Sequence, residues 1–81
     1  MTEMTPLRGS GKGPKGWIRL THAQTYVDHP YHAPYGHTLN IDFCSEGDGP
    51  GSRVAVELTP ESARDLVRSI ERTLELAQSV V

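Results

Sequence analysis

The last third of this 81-residue chain has the pattern of one amphipathic helix, and a helix with a single apolar stripe needs a surface to lie on. Thr59 is suited to cap its N-terminus, and Pro60 fits the first helical position. Glu61 adds negative charge to the first turn. Ala63, Leu66, Val67, Ile70, Leu74 and Ala77 then recur at helical spacing. Arg64, Asp65, Arg68, Glu71, Arg72 and Glu75 occupy the other faces and read as solvated surface. The helix is expected over residues 59–79.

Upstream, the pattern has a period of two, which is the signature of strands. From Trp17 to Val27, Ile18, Leu20, His22, Gln24 and Tyr26 share one face. In the next strand His37, Leu39, Ile41 and Phe43 alternate with Thr38, Asn40, Asp42 and Cys44. A turn-rich stretch, residues 46–52, separates this strand from one in which Val54, Val56 and Leu58 alternate with polar residues. The last two strands therefore read as an antiparallel hairpin.

Residues 9–16, Gly-Ser-Gly-Lys-Gly-Pro-Lys-Gly, read as a flexible loop, with a short strand over about residues 3–8 before it. This loop is no phosphate cradle, because Lys12 is followed by Gly13 rather than by Ser or Thr. The fold expected is a single α+β domain in two layers. A three- or four-stranded antiparallel sheet (17–58) follows a partly flexible N-terminal segment (1–16) and carries one helix on one face. The other face, with Trp17, Asp42 and Cys44, is left partly uncovered, so a homodimer is expected.

Composition narrows the functional classes. Eight basic residues against ten acidic ones give a net charge of −2, without the basic footprint of a nucleic-acid binder. No apolar segment reaches the ~20 residues a membrane span requires. The N-terminus lacks the basic flank and apolar run of a signal peptide. Cys44 is the only cysteine, which excludes an internal disulfide and suits a reducing, cytoplasmic setting. It reads as a small semi-buried filler.

All four histidines, His22, His29, His32 and His37, lie within sixteen residues, together with Asp28 and all three tyrosines. Imidazole is both the side chain that titrates near neutrality and the commonest metal ligand. In the two strands flanking the His29–His32 stretch the apolar residues mark the core faces, even-numbered on the first strand and odd-numbered on the second. This parity pairs Tyr26 with His37, Gln24 with Leu39 and His22 with Ile41, or shifts that register by two.

Either register brings His37 to the mouth of the connecting loop, beside Tyr26 or Asp28. His22 is left roughly 13 Å down the strand at strand rise per residue. Pro30 and Pro34 stiffen the loop, and Gly36 permits a sharp turn into the next strand.

The chemistry expected is a mononuclear metal site with His29, His32 and His37 as ligands and Asp28 as ligand or orienting partner. Such a donor set suits zinc, iron, nickel, manganese or copper. The spacing matches no strong metal signature, and the competing reading is of polar loop residues that cap backbone groups. His22 reads as a sheet histidine held by hydrogen bonds, with a general base as its alternative. Tyr26 reads as a packing residue, with an acid as its alternative. Asp42, on the face away from Leu39, Ile41 and Phe43, reads as surface or interface. A metal-free module using the His/Tyr loop to bind a small molecule or partner is the second reading, and metal-free His/Tyr acid–base catalysis the third.

Four segments, Leu20-Thr21-His22-Ala23, Asp28-His29-Pro30, His32-Ala33-Pro34 and His37-Thr38-Leu39-Asn40-Ile41-Asp42-Phe43, together with Arg53 to Arg64, resemble a family of short, uncharacterised actinobacterial proteins. The resemblance covers most of the chain from about Gly9 onward. Some members of that family are similar to accessory proteins of natural-product gene clusters. The resemblance implies a folded domain in a bacterial cytoplasm and supplies no mechanism.

Overall fold

The computed structural model describes residues 1–28, 36–46 and 53–80. Four strands, β1 (Thr2–Gly13), β2 (Gly16–Asp28), β3 (Thr38–Cys44) and β4 (Arg53–Leu58), are followed by one helix, α1 (Pro60–Val80). The strands form one antiparallel sheet in the order β1-β2-β3-β4, each beside its neighbour in sequence. This is the small α+β domain that the patterning calls for.

The N-terminal third is more regular than its composition suggests. Residues 9–13, expected as loop, belong to β1, which pairs with β2 as far as Gly13↔Gly16. A strand at a sheet edge is held by backbone hydrogen bonds, which glycine supplies as well as any residue. A Cβ at Gly11 would stand 3.6 Å from the Leu20 side chain, an ordinary contact. Pro14 and Lys15 form the turn, and Gly16 closes it with φ of 113°, a conformation that favours glycine. Pro6, lacking an N–H, is tolerated because β1 is an edge strand. The β1–β2 register slips between Pro6 and Gly9, where two β1 residues oppose Thr21 alone.

The β2–β3 register differs from the expected one. The observed pairs are Val27↔Leu39, Thr25↔Ile41, Ala23↔Phe43 and, on the other face, Tyr26↔Asn40, Gln24↔Asp42 and His22↔Cys44. Odd-numbered β2 residues therefore share the apolar face of β3, and the expected pairs Tyr26–His37, Gln24–Leu39 and His22–Ile41 do not form.

The cause lies in β2, whose apolar residues change phase part-way along. Ile18 and Leu20 are even-numbered; Ala23 and Val27 are odd-numbered. The change falls beside the β1 bulge. There the Thr21 hydroxyl lies 2.9 Å from His22 Nδ1, a meeting of adjacent side chains that regular alternation forbids. Leu20 lines a groove with Phe43 and Val54, so apolar residues from both sides of the phase change reach one face.

β4 extends that face, with Leu58, Val56 and Val54 opposite Leu39, Ile41 and Phe43. The chain turns directly from Leu58 into α1. The Ser62 N–H donates to Thr59 Oγ1 at 3.1 Å, and the Ala63 N–H to the Thr59 carbonyl at 2.9 Å. Thr59 is thus the N-cap, an interaction that contributes about 1 kcal/mol. α1 packs on β3 and β4.

Its apolar stripe is not sealed by this packing. Leu66, Val67, Ile70 and Leu74 remain 44–60% exposed, and on the sheet beneath them Val27 is 62% exposed. Among the described residues, Ala23 is the one apolar residue that is buried.

Candidate functional site

The end of the β2–β3 ladder is the pair Asp28↔Thr38. Asp28 is the last residue of β2, and His37 immediately precedes β3, so both stand at the posts of the connection that carries His29 and His32. Asp28 and His37 are exposed. His29 and His32, with Tyr31, Tyr35, Pro30 and Pro34, lie outside the described residues. Among the described residues no three His, Cys, Asp or Glu side chains converge to hold a metal ion.

The expected acid–base pair is not brought together. His22 pairs with Cys44, six residues from the mouth, or roughly 20 Å at strand rise per residue, farther than expected. Its Nδ1 contacts Thr21 Oγ1 at 2.9 Å, while the Thr21 hydroxyl lies 3.3 Å from the Cys44 carbonyl. Both contacts are met when Nδ1–H donates to Thr21 and Thr21 donates to Cys44, which leaves the lone pair on Nε2. Tyr26 is four residues along the same strand, and its hydroxyl donates to Asp42 Oδ2 at 3.3 Å.

The face of the sheet opposite α1 is polar. Thr38, Asn40 and Asp42 follow one another along it on β3, all buried. Asp42, expected at the surface, is 5% exposed. Besides Tyr26, its carboxylate meets Arg53 on β4, with Nη1 at 3.7 Å from Oδ2. The Thr38 hydroxyl lies 2.7 Å from Asn40 Oδ1 and 3.3 Å from the Asp28 carbonyl, and its single proton serves one of them at a time. Cys44, half-buried, directs its thiol to the Asp42 carbonyl at 3.7 Å.

No buried side-chain nitrogen or oxygen among the described residues lacks a partner. The polar face is therefore a satisfied network that fixes side chains in place. Alternation assigned Thr38, Asn40 and Asp42 of β3 to this face but set Tyr26, Gln24 and His22 of β2 on the other, and it carried nothing of how closely neighbours close over a residue.

The helix side has the opposite character. A cleft of about 460 Å3 opens between α1 and the sheet. Its walls are Thr25 and Val27 of β2, Leu39 and Ile41 of β3, and Ala63, Leu66, Val67 and Ile70 of α1, with Arg64 at its edge. Apart from the Thr25 hydroxyl and Arg64 these walls are apolar and hold no carboxylate, imidazole or thiol, so the cleft is built for apolar contact. No helix among the described residues is long and apolar enough to cross a membrane.

No curated protein and no solved structure matches the chain. A family model does match it, over residues 1–81. With every strand, the helix and both sheet faces inside that match, the chain belongs to a family of unknown function, DUF6295.

Proposed function

We propose that this protein is a binding module that works in an assembled form, with the helix side of its sheet as the contact surface. One observation carries this reading: the half-exposed stripe Leu66, Val67, Ile70 and Leu74 over a cleft of about 460 Å3, in a domain whose one buried apolar residue among the described residues is Ala23. Apolar burial is the main favourable term in folding, and small domains have little to spare. A contiguous exposed stripe of this kind marks a surface that another body covers.

The test is dye binding with amide exchange. At working concentration the stripe should be closed to the apolar dye ANS and the α1 amides protected. Dilution should raise dye binding and α1 exchange together. A chain that is monomeric yet stays dye-silent and protected would end this reading.

A second reading, a metal-binding site, is favoured by the placing of Asp28 and His37 at the two posts of the connection that carries His29 and His32. In it the three imidazoles hold a divalent transition metal (zinc, iron, nickel, manganese or copper), with Asp28 as ligand or orienting partner. Such an ion would polarise a carbonyl or activate water for a bound small molecule. The single cysteine suits a cytoplasmic setting. The resemblance to actinobacterial proteins near natural-product genes suits an accessory role there.

Protein purified without a histidine tag should carry about one metal ion per chain and lose it on replacement of His32 and His37 by Ala. Metal-free protein whose melting temperature ignores added zinc, iron, nickel, manganese and copper would exclude the site.

A further inference from the structure

We propose that the body covering the helix-side face is a second copy of this chain, its α1 lying antiparallel to the first about a twofold axis, with Arg64 of each copy facing Glu71 of the other. The inference rests on the reading of that face as an assembly surface and names what assembles there.

Three features select this partner. The first is room. Four strands spaced about 4.8 Å apart make a face nearly 20 Å wide, and a helix with its side chains covers about 10 Å of it. α1 packs on β3 and β4, leaving the half that carries Val27 and Thr25 open to one more helix.

The second is spacing. Ala63, Val67, Ile70, Leu74 and Ala77 alternate in steps of four and three, which is the seam of a helix that packs along another helix. Set antiparallel with Val67 level with Ile70 of the other copy, the seam also brings Ala63 level with Leu74. Large residues then meet small ones at the ends.

The third is charge. Arg64 and Glu71 are seven residues apart, on the same flank of the seam, and no ion pair joins either to another described residue. Asp65 and Arg68 already pair with each other at 2.6 Å. In the antiparallel arrangement Arg64 meets Glu71 twice, once on each side of the axis. A parallel arrangement sets this flank against Leu66 and Thr73, which offer no charge, and aligns the two helix dipoles unfavourably.

Sedimentation equilibrium of the full chain should give twice the monomer mass of 8.9 kDa at micromolar concentration. Arg64→Glu and Glu71→Arg, each replacing two attractions by two repulsions, should weaken the dimer about tenfold. The double variant should return to within about threefold of the original, and since both changes are at exposed positions the fold should survive them. A dimer indifferent to the single changes, or one the double change fails to restore, overturns the pairing. A monomer that binds ANS overturns the second copy as partner while leaving the assembly surface standing. A monomer that is dye-silent overturns both.

Discussion

Ile70→Glu should convert a cooperatively unfolding protein into one that is monomeric at micromolar concentration and loosely packed, with increased ANS binding. The size of the effect separates the two descriptions of α1. In an isolated chain Ile70 is 51% exposed, and a substitution at such a surface position changes stability by about 0.5 kcal/mol or less. At the centre of a helix–helix contact the same change places a carboxylate in an apolar seam and costs about 3–5 kcal/mol. Urea unfolding read by tryptophan fluorescence and by circular dichroism reports the difference. A midpoint within experimental error of the unmodified protein would show that nothing covers Ile70.

Asp42→Ala should be the most damaging single change on the polar face. It removes the acceptor of the Tyr26 hydroxyl and the partner of Arg53 from a site 5% exposed. Leaving a buried donor without an acceptor costs about 1–3 kcal/mol, and the half-buried Tyr26 hydroxyl should lose an amount toward the lower end, about 1 kcal/mol. The hydroxyl accounts for most of this, since the Arg53 side chain is 61% exposed and 3.7 Å away, where an ion pair contributes little. Arg53→Ala should therefore be mild beside Asp42→Ala. Equal losses for the two in chemical denaturation would move the weight of the network from the hydroxyl to the ion pair.

Local signals carried the most information in this sequence. Thr59, Pro60 and the stripe beginning at Ala63 define α1 without reference to the rest of the chain, and the observed cap is the one their chemistry dictates. β3 and β4 were equally legible, because each keeps one phase from end to end. β2 does not. Its apolar residues change parity beside a bulge that only the pairing with β1 creates, so the register could not be had from β2 and β3 alone. Of β1, the part over residues 3–8 was legible, and the extension through residues 9–13 was hidden because edge pairing is done by backbone groups, to which composition is blind.

The site was legible to a different degree. Asp28 and His37 stand at the mouth between β2 and β3, as the pattern implied, although the residues that pair there are Asp28 and Thr38. The burial of Asp42 was not legible, since its neighbours, among them Tyr26 and Arg53 that reach its carboxylate, come from other strands. Nor was the incomplete cover of the sheet. An apolar stripe shows that a helix must be buried somewhere, and only the placement of α1 over β3 and β4 shows how much of the stripe stays exposed.

Folding and assembly of this domain should be one event. Urea denaturation at a series of protein concentrations spanning two orders of magnitude tests it directly. Coupled folding and dimerisation require the midpoint to rise steadily with concentration. A midpoint that stays fixed across the series, with a single sharp transition, would show that the isolated chain is complete and contradict the account.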